Sequence, residues 1–188
     1  MKTADSRGRI RIIGGSLRGS RLLVPESPGL RPTPDRLRET LFNWLAPWIE
    51  GARCLDLFAG TGALGIEALS RGAASCQFVE KSAPLASALR ANLERLKTQG
   101  SVVQTDALTW LAGKVEPFDV VFVDPPFAEQ LWLPTLAALQ DRGWFAEHAL
   151  LYVESPTEVS LPQPEHWRLW REASAAKLRG VLYRRTTD

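Results

Sequence analysis

The sequence has little of what several large protein classes require. In 188 residues it has two cysteines, Cys54 and Cys76, two histidines, His148 and His166, and one methionine. Two cysteines build no disulfide framework, and with isolated histidines they make no zinc-ligand cluster, so no metal is expected. Unpaired thiols suit a reducing compartment, and a cytoplasmic protein is expected. No apolar run reaches the roughly 18 residues of a membrane span, so no membrane partner is expected. The stretch from Met1 to Gly8 is polar and lacks the apolar segment of a secretory signal. There is no internal repeat and no low-complexity stretch.

The composition is that of a folded chain. It is 45% hydrophobic and 23% charged, which excludes a disordered protein. At about 100 to 200 residues per domain, the length fits one domain with a short appendage, and a monomer is the expected state. The net charge is only +2, yet it is unevenly placed. Residues 1–38 carry nine basic against three acidic side chains, and residues 39–188 carry fourteen against eighteen. A basic arm on a mildly acidic body suits a polyanionic partner; a solubilising tail is the alternative.

Two short β-like runs, Arg9–Ile13 and Arg21–Val24, are separated by Gly14, Gly15 and Gly19, as in a hairpin-like element. The expected division is a basic extension over residues 1–33 and a body over residues 34–188. A helix is expected from Thr33-Pro34-Asp35, with Thr33 as cap and Leu37, Leu41, Leu45 and Trp48 on its apolar face. Beyond Gly51, strands at Arg53–Phe58, Ser75–Glu80, Val102–Gln104, Phe118–Val123 and Leu150–Val153 alternate with helices. That order predicts an α/β fold with a parallel sheet covered on both faces. Trp167–Glu172 and Lys177–Arg185 read as an antiparallel hairpin at the sheet edge.

The turn Asp56-Leu57-Phe58-Ala59-Gly60-Thr61-Gly62-Ala63-Leu64-Gly65 follows a strand and opens a helix. Its glycines satisfy GxGxxG, and Glu80 follows where a carboxylate reaches a ribose, so the spacing alone fits NAD. Asp56 argues against a pyrophosphate at this turn and for a cation or an amino group. Asp106, after the third strand, is placed to accept from an adenine amine. Three carboxylates at three strand ends suit a ligand with a cationic end, a ribose and an adenine, and S-adenosylmethionine is such a ligand.

Asp124-Pro125-Pro126-Phe127 ends the most apolar strand. The prolines remove two backbone donors and leave carbonyls free to accept. An exocyclic amine on a base is a poor nucleophile because its lone pair is delocalised. With its two hydrogens held by the Asp124 carboxylate and the Pro125 carbonyl, the nitrogen can pyramidalise and attack a sulfonium methyl. Phe127 would stack on a base taken out of its helix.

On these residues the sequence resembles the class I, Rossmann-like methyltransferases that act on exocyclic amines. It is most similar to the bacterial 16S ribosomal RNA guanine-N2 methyltransferases of the RsmD type. The distinctive N-terminal stretch is Ile12–Gly15 and Arg31-Pro32-Thr33 running on to Leu45, while Asp56–Gly62, Phe78–Glu80 and Asp124–Phe127 match the shared core. The resemblance implies a seven-stranded, mostly parallel sheet with an antiparallel last strand. It implies S-adenosylmethionine held by Asp56, Phe58, Gly60 and Gly62, with Glu80 on the ribose and Asp106, Ala107 and Leu108 near adenine. Asp124, Pro125 and Phe127 would meet the target guanine. The implied partner is 16S ribosomal RNA within a small-subunit particle. The departures are Pro34, where a second Thr is frequent, and Ser82, where an acid commonly follows the ribose-binding Glu.

Arg9, Arg11, Arg18, Arg21 and Arg31 are candidate phosphate contacts, and Arg36 and Arg38 are candidates for positioning RNA beside the crevice. Trp44, Trp110 and Trp132 read as packing residues, and Cys54 and Cys76 as small buried hydrophobes. The competing functions are a methyltransferase of adenine N6 or cytosine N4 in DNA or RNA, a non-catalytic RNA-binding module on the same scaffold, and an NAD-dependent oxidoreductase.

Overall fold

The structure is a computed structural model that describes residues 9–186. The basic residues Lys2 and Arg7 and the side chain of Arg9 lie outside the described residues.

Seven strands form the main sheet: β3 (Arg53–Asp56), β4 (Ser75–Glu80), β5 (Gly100–Gln104), β6 (Phe118–Val123), β7 (Phe145–Pro156), β8 (Trp167–Ala175) and β9 (Leu178–Arg185). Their spatial order is β5-β4-β3-β6-β7-β9-β8. The first five in that order are parallel, and β9 is antiparallel to both its neighbours. This is the expected Rossmann-like class I arrangement with a reversed last strand. The hairpin of β8 and β9 lies at the edge, with β8 outermost.

Period-2 alternation on these strands feeds two cores. Cys54, Val120, Phe122, Leu150 and Tyr152 face α1 (Asp35–Ile49), α2 (Ala63–Ser70) and α3 (Ala83–Leu96). Leu55, Val121, Val123, Leu151 and Val153 face α4 (Ala107–Leu111) and α5 (Trp132–Asp141). Both cysteines are buried and free, and Trp132 is buried while Trp44 and Trp110 are partly so.

The N-terminal segment is built into the first core. β1 (Arg9–Arg11) pairs antiparallel with β2 (Arg21–Leu23), and Ile12, Leu22 and Val24 are buried with Leu41, Phe42 and Leu93. The Ile13 and Gly14 amides donate to the Glu67 carboxylate at 2.9 and 2.8 Å. Asn92 on α3 both accepts from the Leu23 amide and donates to its carbonyl. At Gly15, φ is +77° and a β-carbon would collide with the Ser70 backbone, so this turn needs glycine.

Local details differ from the sequence reading. β7 is far longer than Leu150–Val153 because it continues along both β6 and β9. α1 starts without a side-chain cap: Pro34 stands at the capping position, and the Thr33 hydroxyl is spent elsewhere. Trp48 is exposed, since the stripe drifts around α1 and Ile49 takes the core position.

Candidate active site

A cavity of about 860 Å³ opens beyond the carboxyl ends of β3, β4, β6 and β7. That is the expected place for a ligand in an open α/β sheet, and the size suits a small molecule. Its floor includes Asp56, Phe58 and Gly60; one wall holds Glu80, Asp106 and Ala107, and the other Asp124 to Phe127. The residues from Ser27 to Thr33 close over it from the N-terminal segment.

The glycine turn is held by carboxylates. Asp56 is buried at the end of β3 and accepts from the Gly65 amide at 3.0 Å, which anchors the first turn of α2. Burial, and to a lesser degree Glu80, push its carboxyl up to about 7, against the Gly65 hydrogen bond. Glu80 accepts from the Gly60 and Ser82 amides, both at 2.7 Å. Asp106 caps α4 by accepting from the Thr109 amide at 3.1 Å. Each carboxylate therefore has a structural duty while lining the cavity, and each oxygen has a second lone pair to offer.

Gly62 and Leu108 do not line the cavity. Gly62 takes a left-handed conformation, φ +79°, as the residue before α2, where a β-carbon would strike Leu89. Gly65 lets α2 rest on Phe78 and Cys76 of the sheet. Two of the three glycines thus shape the turn and its packing, and Gly60 is the one that faces the cavity.

Asp124, Pro125 and Phe127 all line the opposite wall. Continuing the alternation, Asp124 follows Phe122 onto the first face of the sheet, as Asp56 follows Cys54 and Glu154 follows Tyr152. Three acids therefore sit at the ends of the adjacent strands β3, β6 and β7. Desolvation, then Glu154, then Asp56 raise the Asp124 carboxyl well above the ordinary range. No hydrogen bond occupies the Pro125 carbonyl among the described residues. The Phe127 ring packs on Trp132 at 5.8 Å, which fixes it at the rim.

Glu154 was passed over by sequence reasoning, and Thr33 was read as a helix cap rather than as part of the site. Glu154 is 1% exposed and accepts from the Thr33 and Tyr152 hydroxyls, both at 2.9 Å. Its backbone carbonyl accepts from the Trp132 indole at 2.8 Å. Burial raises its carboxyl, opposed by the two hydroxyl bonds. The available signal was an acid ending an apolar strand, the same pattern as Asp56 and Asp124. Lys177, at the turn between β8 and β9, also lines the cavity.

The arginines divide. Arg31 lines the cavity, and Arg11, Arg18, Arg21 and Arg36 are exposed away from its lining. Arg38 corrects the expectation of an RNA-positioning role. It is fully buried, donates to the Arg11 carbonyl at 2.7 Å and pairs with Asp35 at 2.9 Å. Its place at helical spacing from Leu41 and Leu45 turns it inward, where it fastens the N-terminal segment to α1. Among the described residues no group of three or more His, Cys, Asp or Glu is arranged to hold a metal, and no helix is long and apolar enough to cross a membrane.

Comparison with known proteins gives a consistent result. Residues 10–184 match the family described as Conserved hypothetical protein 95. The chain is 53% identical over 180 residues to Ribosomal RNA small subunit methyltransferase D of Escherichia coli K12, covering 95% of this chain and 91% of that one. It is 43% identical to the protein of the same name from Haemophilus influenzae, covering 97% of both. A solved Escherichia coli structure, 49% identical, superposes with a TM-score of 0.89 over 96% of this chain and 100% of the other.

Proposed function

The chain belongs to the Conserved hypothetical protein 95 family, and from that membership and the acid-lined cleft we propose that it methylates the N2 amine of a guanine in 16S ribosomal RNA. On this reading it is a methyltransferase, as its relatives are named, and S-adenosylmethionine is the methyl donor that the acid-lined cavity fits. The observation that carries the finer reading is that Asp124 and Gly60, on the loops that follow β6 and β3, line one cavity.

The residues present fit the donor. Asp56 offers negative charge to a cationic end, Glu80 offers carboxylate lone pairs to a ribose, and Asp106 and Ala107 face the region beyond it. When bound, S-adenosylmethionine supplies an electrophilic methyl group. Asp124 and the Pro125 carbonyl accept the two amine hydrogens and draw the nitrogen out of conjugation. They then stabilise the positive charge that grows on it, with no reorganisation of the rigid Pro-Pro turn. Asp124 need not be a strong base, because an alkylated, positively charged amine is acidic. Phe127, held by Trp132, stacks on the extruded base. Arg11, Arg18, Arg21, Arg31 and Arg36 contact phosphates, and the substrate is the small-subunit particle.

The test is transfer of labelled methyl to small-subunit particles, with the modified nucleotide identified by mass spectrometry. N2-methylguanine is expected. A label on adenine, cytosine or protein would overturn the assignment.

A further inference from the structure

A further group of arginines without a carboxylate partner among the described residues lies away from the cleft lining. It is built by the edge hairpin and the end of α1. Arg168 and Arg184 sit directly opposite each other on β8 and β9, and both are exposed. Like charges in that position repel, and nothing in the fold requires them. A register shift between Leu169 and Arg171 turns Trp170 and Arg171 onto this same face. Arg171 lies over the Trp170 ring at 4.9 Å, and Arg184 over the Trp48 ring at 5.0 Å. The two indoles meet edge to face at 6.1 Å. Among the described residues no carboxylate pairs with Arg168, Arg171 or Arg184.

We propose that Arg168, Arg171 and Arg184, mounted on Trp48 and Trp170, form a second RNA-binding surface that engages the phosphate backbone. The indoles hold two of the guanidinium groups at fixed positions by cation–π contact, so less freedom is lost when a phosphate is bound. Position separates this surface from the cleft. Thr33, just before α1, lines the cavity, and Trp48 is near the far end of the helix. Fifteen residues of helix span about 22 Å. An RNA that meets both at once must extend from the target base over about that distance, so the patch favours a long or structured substrate over a few nucleotides. The inference extends the reading of the protein as a ribosomal RNA enzyme, and it is tested by binding rather than turnover.

The experiment measures affinity of the full chain for small-subunit particles and for deproteinised 16S RNA, across a salt series. Arg168→Ala/Arg184→Ala is expected to bind both on the order of tenfold more weakly, with a salt slope shallower by about 2. Arg168→Lys/Arg184→Lys is expected to recover most of the loss. Among the described residues the Arg168 side chain makes no hydrogen bond or ion pair, so Arg168→Glu alone removes no side-chain bond of the fold and is expected to weaken binding. Unchanged affinity and slope in these variants would overturn the proposal. So would weaker binding to particles with unchanged binding to bare RNA, which would identify a ribosomal protein as the partner. Absence of methyl transfer by the wild type would sink the proposed reaction and leave this binding comparison intact.

Discussion

The Thr33 hydroxyl donates to the Glu154 carboxylate at 2.9 Å, joining positions 121 residues apart in the chain. One end of this bond belongs to the segment that closes over the cavity, and the other to the strand end beside Asp124. The N-terminal segment is thereby latched to the acids of the cleft. Thr33→Val keeps the shape and removes the donor. We expect a loss of about 1 to 3 kcal/mol, because the bond is buried and its acceptor is a carboxyl group. For a chain of this length that is roughly a 2 to 4 °C lower Tm per kcal/mol, and a melt unchanged within error would refute the latch.

Asp124→Asn keeps an oxygen acceptor and removes the carboxylate, the form that the cationic donor favours once bound and that offsets the growing cation. Methyl transfer should fall on the order of 10² to 10³-fold, the range for one preorganised electrostatic partner. Cofactor affinity by calorimetry should change little, since Asp124 faces the amine. A tenfold drop in cofactor affinity with an unchanged rate would reverse the assigned role.

Asp56 has a sign that pH can reveal. Its carboxyl is raised from 3.8 to about 7, so the folded state holds a proton that the unfolded state releases. Stability of the ligand-free protein should therefore fall as pH rises from about 4 to about 7. Asp56→Asn retains an acceptor for the Gly65 amide and should flatten that part of the pH–stability curve. Denaturant titrations of both proteins at several pH values provide the check. Asp124 and Glu154 shift the same way and add to the slope that remains in the variant.

Gly65→Ala should destabilise without touching the cavity. The added carbon would overlap the Phe78 ring and crowd the Cys76 sulfur at 2.7 Å, both in the packed sheet. Overpacking of this kind costs about 1 to 3 kcal/mol. A melting curve equal to that of the wild type would show that α2 can shift away from the sheet.

Arg38 and Arg31 are predicted to separate stability from RNA affinity. Arg38→Ala removes a buried guanidinium bonded to the Arg11 carbonyl and should cost about 2 to 4 kcal/mol, with no change in the salt slope of RNA binding. Arg31→Ala, at the exposed mouth, should leave the melt alone and make that slope shallower by about 1. Filter binding across a salt series, beside thermal melts, reads both effects.

The parallel sheet and the two-faced core were legible because parallel strands buried on both sides read as apolar runs, and the reversed last strand followed from the family resemblance; the strand order was not. Asp56, Asp124 and Glu80 were legible because each is a carboxylate placed just where such a run ends. Glu154 carries the same signal, directly after the run expected to stop at Val153, but no turn motif follows it, and its role shows only where the Thr33 and Tyr152 hydroxyls meet it. Arg38 was misread for the opposite reason. A charged residue on a helix is ordinarily solvated, and only the tertiary approach of β1 supplies the carbonyl that makes its burial tolerable. The Trp48–Trp170 contact depends on a one-residue slip between β8 and β9, which no periodicity in the sequence announces.

Because β9 runs against its neighbours, the turn that precedes it is delivered to the same rim as the glycine turn and the Asp-Pro-Pro-Phe wall. Lys177 stands there, on the two-residue turn between β8 and β9, with its carbonyl accepting from the Thr157 amide at 2.9 Å. Insertions or deletions at that point would recontour the entrance while leaving the reacting groups in register. The scaffold thus separates what it does from whom it admits, and a redesign of its clientele should begin at this hinge of the hairpin.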